Sequence, residues 1–442
     1  MNYPTYKDSC IPWLGKVPEH WIVLNLSKCV KDIKDGTHGT FERIPSEFFL
    51  LSAKNVSDKG VAVGDNESSI SEEDYRAIVA NGFPRKNDVL VTIVGTIGRT
   101  CVYDIDKPIA FQRSVAFLRL NKNHEPRFFT YQIRSKPFQD QLLIRTKSAA
   151  QGGVYMGDLV QIQVLSTNLP EQNAIADFLD RETGRIDELI EKKKRLIGLL
   201  KEKRSAMISR TVTRGLPADA AREFGLEPHT RFKDSGIEWL GDVPEGWEVK
   251  RLSYLALLKS GESITSEQIA EGGRCPVYGG NGMRGYFSEY THEGLFVLIG
   301  RQGALCGNIN YASGRFWASE HAIVVHPLKR FAVKWLGELL RAMNLNQYSI
   351  SAAQPGLSVS QIGALKIPVP PYQEQTAIAT YLDHETAKID KLMSKVEEAI
   401  ERLQEYRMAL ITAAVTGKID VLYAVDSAGP LGLAAEEAGT YG

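Results

Sequence analysis

From Ile389 onward, apolar side chains recur at Leu392, Val396, Ala399, Leu403, Tyr406, Leu410 and Ala413, in alternating steps of three and four residues. This pattern predicts a long amphipathic helix with one continuous stripe, the a/d seam of a coiled coil. The corresponding positions 203 residues earlier are Ile186, Leu189, Lys193, Leu196, Leu200, Lys203, Met207 and Arg210. Charge therefore interrupts the first stripe at three slots. At ~1.5 Å rise per residue, each segment of about forty residues is a rod of roughly 60 Å. Each helix could pack onto its own globular domain, but a strict 3.5-residue period fits a helix partner better than a flat domain surface, so the rods are expected to pack on each other, antiparallel, with a globular head at either end. Strand-like runs stand elsewhere: "DVLVTIV" (88–94), "SVAFLRL" (114–120), "GLFVLIG" (294–300) and "HAIVVHP" (321–327). Helical patterns follow near 126–145 and 330–343, which predicts α+β heads with twisted sheets.

The pattern is written twice. "KDSCIPWLGKVPEHW" (7–21) returns as "KDSGIEWLGDVPEGW" (233–247), with eleven of fifteen positions identical at an offset of 226. "EQNAIADFLDRETGRID" (171–187) returns as "EQTAIATYLDHETAKID" (374–390), with eleven of seventeen identical at an offset of 203. "SAAQGG" from Ser148 matches "SAAQPG" from Ser351, and "LVTIVGTIGR" (90–99) aligns with "LFVLIGRQGA" (295–304), pairing Gly95 with Gly300 and Gly98 with Gly303. One order of segments repeated in this way is a tandem duplication, with units near 7–215 and 233–418. The fall in offset assigns about 23 extra residues to the first variable region, within 31–85, where an insertion suits loops. The chain divides into a head at 1–169, a helix at 170–214, a linker at 215–232, a second head at 233–370, a second helix at 371–418 and a frayed tail at 419–442.

Composition is that of a globular protein, with 43% hydrophobic and 24% charged residues and no net charge. No apolar run approaches the roughly 18 residues of a membrane span, and the first residues lack a signal-peptide layout, so a cytoplasmic location is expected. Five cysteines without C-x-x-C spacing or a nearby histidine set suggest reduced structural thiols and no metal site. No phosphate-loop motif is present. "VPPY" (369–372) has Val369 where an amino-methyltransferase motif needs an amide, so it reads as a helix entry. His38, His321 and His326 stand apart from any nucleophile or ligand spacing. No catalytic residue is assigned. Charge is uneven: residues 181–214 carry 11 Lys+Arg against 5 Asp+Glu, including "KKKR" at 192–195, and 248–370 carry 12 against 8. Mildly positive surfaces are compatible with nucleic acid.

Two copies of the tryptophan segment, each followed by a variable region and an "EQ-x-AIA-x-x-LD-x-ET-x-x-ID" helix, resemble the specificity subunit of type I restriction-modification enzymes. "PVYGGNGMRGYF" (276–287), "LIGRQGALCGN" and "FWASEHA" are similar to one class of that family's target-recognition domains. The resemblance implies an α+β chain with two target-recognition domains separated by two long helices forming an antiparallel coiled coil, in a pseudo-two-fold arrangement. It implies a non-catalytic subunit that binds double-stranded DNA, each domain reading half of a bipartite asymmetric target while the coiled coil sets the gap. It further implies two methylation subunits as partners, which carry S-adenosylmethionine, and restriction or translocase subunits in the full complex. A methyltransferase with built-in recognition domains and a coiled-coil protein adaptor are the alternatives.

Direct readout is expected from polar side chains on the strand-connecting turns. Arg99, Arg113 and Arg301 suit guanine; Gln112, Gln302 and Asn281 suit adenine; Glu320 can accept from cytosine. Thr96, Tyr155, Arg284 and His321 complete the expected DNA-binding set. Gln151 and Gln354, in the repeated "SAAQ" segments, are expected to contact DNA backbone or cap the last helix. Trp13, Trp21, Trp239 and Trp247 are expected to serve scaffold packing or partner docking.

Overall fold

The computed structural model describes residues 3–11, 13–64, 66–80, 84–146, 152–303, 305–349 and 356–422. Two compact units emerge. The first comprises 1–192 with 398–442, and the second 193–397, so each holds part of both long helices.

Each unit is built around a four-stranded antiparallel sheet of the same order. In unit 1 the neighbours are Val30–Asp35, Val115–Leu120, Val89–Thr92 and Thr100–Val102. In unit 2 they are Ala256–Ser260, Ala322–Pro327, Phe296–Gly300 and Ile309–Ala312. The β-branched central strands are buried on both faces: Val89, Leu90, Val91, Leu298, Ile299, Ile323 and Val324 are all inaccessible. This accounts for their near-continuous apolar runs. On one face of each sheet lies a helix predicted from the sequence, Val333–Ala342 in unit 2. In unit 1 the helical pattern near 126–145 is two helices, Pro126–Arg134 and Lys136–Arg145. Ser135 between them is extended (ψ 150°), because Pro137 supplies no N–H to continue the first.

The heads diverge outside that sheet. Gly36 and Thr92 in unit 1 match Gly261 and Gly300 in unit 2, as argued below from hydrogen bonds, so 56 residues in one unit answer to 39 in the other. Seventeen of the expected 23 extra residues therefore lie between Gly36 and Thr92, and the others lie outside that stretch. Those inside it build a helix at Glu72–Ala80 and a small hairpin, Val56–Ser57 with Gly60–Val61. Unit 2 has instead a second four-stranded sheet, in the order Gly282–Phe287, Cys275–Gly279, Arg315–Ala318 and His292–Glu293.

The duplicated segments meet each other, and this is why both recur. Trp21 is inaccessible, and its indole N–H donates to the Glu171 carboxylate at 3.0 Å. Trp247, 1% exposed, donates to Glu374 at 2.9 Å. The next residue works too: Gln172 accepts from the Glu125 N–H at 2.9 Å and Gln375 from the Ala332 N–H at 3.0 Å. Glu125 and Ala332 are the residues that precede the head helices, so each glutamine satisfies a helix-start donor. "EQ" thus clamps tryptophan segment, head helix and long helix at one point. Trp239 is half-buried against the unit 2 core, whereas Trp13 is 48% exposed.

The long helices are Leu169–Arg214 and Tyr372–Val415. In unit 1, Ile186 and Ile190 share a core with Leu403 and Leu410; in unit 2, Ile208 and Val212 share one with Ile378 and Leu382. Within each unit the two helices run antiparallel. The burial corrects the expected seam. The positions of Ile186, Leu200, Ile389, Val396, Leu403 and Leu410 face inward, but the intervening slot is four residues on, not three. Ile190, Ile197, Arg204 and Thr211 fill it in the first helix, and Met393, Ile400, Arg407 and Ala414 in the second. Leu196 and Leu392, expected inside, are 40% and 38% exposed, and Lys203 and Arg210 are exposed. Two of the three charge interruptions therefore lie off the seam.

Arg204 and Arg407, in that slot, form matched ion pairs. Arg407 meets Asp187 at 2.9 Å in unit 1, and Arg204 meets Asp390 at 3.0 Å in unit 2. Asp390 and Arg407 are the 203-residue copies of Asp187 and Arg204, so each pair joins an arginine of one copy to the aspartate of the other. Each unit thus repeats the same ion pair with the two copies exchanged.

The 215–232 linker is packed. It carries a helix at Ala218–Glu223, buries Leu216, Ala220 and Ala221 in the unit 2 core, and places His229 2.6 Å from Glu374. In unit 1 the tryptophan segment is gripped instead by the end of the second long helix: Tyr6 donates to the Gly417 carbonyl at 3.1 Å, and Lys418 to the Leu14 and Lys16 carbonyls at 3.1 and 2.6 Å. Cys10 is exposed; the other four thiols are buried, and burial pushes those of Cys29 and Cys101 up to about 12. No helix among the described residues is long and apolar enough to cross a membrane.

Candidate nucleic-acid interface

At one end of each four-stranded sheet, a set of turns is stitched together by main-chain hydrogen bonds. In unit 1 the Gly36 N–H donates to Val115 O at 3.0 Å, Thr37 to Phe111 O at 2.8 Å, Ile93 to Ser114 O at 2.9 Å and Val154 to Ile93 O at 2.9 Å. In unit 2 Gly261 donates to Ala322 O at 3.0 Å, Glu262 to Ala318 O at 2.9 Å, Arg301 to His321 O at 2.8 Å and Leu357 to Arg301 O at 2.9 Å. The two sets match bond for bond. A further match, Gly98 to Thr92 O and Gly307 to Gly300 O, both 2.8 Å, aligns the glycine turns.

This corrects the glycine pairing expected from the sequence. Gly95 corresponds to Gly303, not Gly300; both have positive φ, 78° and 89°. Gly98 corresponds to Gly307, because the unit 2 turn is one residue longer. Ladder hydrogen bonds set the register, and glycine identity alone does not.

On this shared backbone the side chains differ. Thr37 corresponds to Glu262, Ile93 to Arg301, Val94 to Gln302, Arg99 to Asn308, Gln112 to Ser319, Arg113 to Glu320 and Ser114 to His321. Thr96, Arg99 and Arg113 are exposed on the unit 1 turns, Gln112 is half-buried, and Tyr155, just beyond Val154, is 64% exposed. In unit 2 Asn281, Arg284, Gln302 and His321 line one concavity of about 640 Å³, floored by Gly280, Gly282 and Gly303. Arg301 and Glu320, both half-buried, flank His321 in the same turn assembly without lining that concavity. His321 Nδ1 lies 3.2 Å from Gln302 Oε1, and its Nε2 lies 3.2 Å from Glu320 Oε1. Asn308 donates to Asn281 Oδ1 at 3.0 Å. These contacts hold amide and imidazole edges in set orientations, as hydrogen-bond readout of base edges requires. Gln151 and Gln354 lie outside the described residues.

Glycine makes the assembly possible. A Cβ on Gly36 would lie 2.1 Å from Phe111 O, and one on Gly261 2.2 Å from Ala318 O. The obstacle is backbone, which no rotamer change relieves. Gly36→Ala and Gly261→Ala are each expected to displace the turn and lower stability by more than about 2 kcal/mol. Chemical denaturation measures this; a midpoint like that of the native chain would show that the turn yields freely.

Sequence reasoning missed the turn at Gly36, Thr37 and His38, which lines its own 330 Å³ concavity with Lys34, Asp35 and Met156. His38 Nε2 sits 2.8 Å from Asp35 Oδ2. Its signal was available, since a K-x-G stretch closes the corresponding segment in both "KDGTHG" and "KSGES".

The sequence model of the type I restriction modification DNA specificity domain matches residues 53–198 and 244–402. The EcoprrI type I restriction enzyme specificity subunit of Escherichia coli is 40% identical over 171 residues, covering 38% of this chain and 41% of that protein. The match thus spans about two fifths of that relative's length. A putative MjaX specificity subunit of Methanocaldococcus jannaschii is 23% identical over 438 residues, covering 92% and 96%. Among solved structures, one from work on complex assembly and conformational transition of the type I R-M system aligns with TM-score 0.62 at 16% identity, over 91% of this chain and 99% of that one. The HsdS subunit of Thermoanaerobacter tengcongensis aligns with TM-score 0.51 at 16% identity, over 95% and 100%. These two likenesses bear on the fold. With the family's domain matched in both duplicated halves, the chain belongs to the type I restriction modification DNA specificity family.

Proposed function

We propose that the chain is the DNA sequence-specificity subunit of a type I restriction-modification complex, each unit reading one half of a bipartite, asymmetric target. One observation carries this reading: the two sheet ends share their main-chain hydrogen bonds and differ in nearly every side chain that they display. A common frame with different donor and acceptor edges suits two different half-sites, while phosphate contacts hold register. The candidate readers are Thr96, Arg99, Gln112, Arg113 and Tyr155 for one half, and Asn281, Arg284, Arg301, Gln302, Glu320 and His321 for the other. The long helices set the gap and dock two methylation subunits, whose bound S-adenosylmethionine supplies the methyl group; restriction subunits join for cleavage. The chain itself performs no chemistry.

Mapping modified adenines in DNA from cells that carry the complete system tests this. The expected result is a two-part asymmetric motif with a fixed unread gap. A continuous motif, or methyl transfer by the purified chain alone, would overturn it.

A further inference from the structure

The unit 1 sheet has a second concavity at its other end. There Leu120 pairs with Val30, whereas Ala116 pairs with Asp35 near the recognition turns. At ~3.4 Å per residue the two ends are about 14 Å apart. The concavity, of about 870 Å³, is lined by Lys28, Lys31 and Lys122, and among the described residues no aspartate or glutamate lines it. Cations nearby are neutralised within the chain, Arg119 by Asp88 at 2.7 Å and Lys86 by Asp104 at 2.8 Å. The three exposed lysines have no ion pair among the described residues. His124 also lines the cavity, and its Nδ1 is buried without a hydrogen-bond partner. Ile22, 53% exposed, and Leu169 add apolar surface beside the lysines.

Unit 2 treats the same place differently. Tyr254 stands 226 residues after Lys28, and its ring receives Lys250 at 4.2 Å and Lys329 at 3.5 Å. Cation–π contacts thus satisfy from within what unit 1 leaves open. The open lysines are therefore no by-product of the shared scaffold. Three like charges around one hollow repel one another, and an anionic occupant relieves that repulsion.

We propose that this concavity docks an acidic, partly apolar segment of the methylation subunit. The proposal rests on the reading of this chain as a subunit that assembles with such partners. DNA is the weaker occupant on two grounds. A duplex seated on the recognition turns lies against the opposite end of the sheet, and a phosphate backbone gains nothing from Ile22 and Leu169.

The test is the full chain carrying Lys28→Glu, Lys31→Glu and Lys122→Glu together, titrated with purified methylation subunit at low and high salt. Subunit affinity at low salt is expected to fall by about tenfold or more, with a flattened salt dependence, because the lost contacts are ionic. Half-site discrimination by complex assembled at high concentration should be unchanged. The milder Lys→Gln triple should give an intermediate loss with an unaltered unfolding midpoint, which separates docking from misfolding. Equal subunit binding by native chain and Glu triple would overturn the docking site and leave the assembly reading standing. A loss confined to DNA affinity would also overturn it, in favour of a phosphate contact. Failure of the native chain itself to bind the methylation subunit would bring down the assembly reading and this proposal together.

Discussion

Replacing Glu171 with alanine is expected to destabilise unit 1 by about 2–6 kcal/mol, because two buried donors lose their acceptor. The carboxylate is 4% exposed and receives Trp21 Nε1 at 3.0 Å, Tyr3 Oη at 2.8 Å and His20 Nε2 at 2.8 Å, with Thr167 Oγ1 also donating. Without it, a buried indole N–H and a buried phenol lose their acceptor, at about 1–3 kcal/mol each. Glu374→Ala should cost less, since Glu374 serves Trp247 and His229 and has no counterpart of the Tyr3 hydroxyl. The pH dependence follows from the same contacts. Burial alone would raise the Glu171 carboxyl, but donors from Thr167, His20, Trp21 and Tyr3 outweigh it and hold the group below the ordinary range. A depressed folded value means stability that is fully present above the unfolded pKa of about 4.5 and is lost as pH falls through the folded one. The gap between native chain and variant should therefore narrow in acid. Urea titration followed by tryptophan fluorescence reads both effects; a shift no larger than that of an exposed Glu→Ala would refute the clamp.

Asn281→Ala and Gln302→Ala should each cost about 1–3 kcal/mol of base discrimination, roughly ten- to a hundredfold, and only in the half-site read by unit 2. Arg99→Ala should relax the other half-site alone. The readout is methylation by the assembled complex on duplexes randomised in one half at a time. A uniform fall across all sequences would assign these side chains to phosphate or scaffold instead. His321 and Gln302 contact each other, so their substitutions should not add.

Much of this was legible in the chain. The tandem repeat, the two long helices, the four central strands and the polar turns follow from periodicity and self-similarity, because buried strands and helix stripes constrain local residue choice. Of the expected site residues, Asn281, Arg284, Gln302 and His321 come together around one hollow. The Gly36–His38 turn escaped notice because it is separated from the other turns by more than fifty residues, and only sheet pairing brings it to Phe111 and Arg113.

What the amino-acid order settled by itself was which segments are elements and that they occur twice. Tertiary structure alone decided which faces those elements present. On a helix, positions three and four residues on lie at similar angles to either side of a given residue, so Leu196 and Ile197 both qualified for the seam until a partner helix buried one. Strand register likewise depends on a neighbour's hydrogen-bond ladder, which paired Gly95 with Gly303. Long-range partners such as Trp21 with Glu171, or Asp187 with Arg407, meet only once the chain is folded, because nothing local links residues so far apart in sequence.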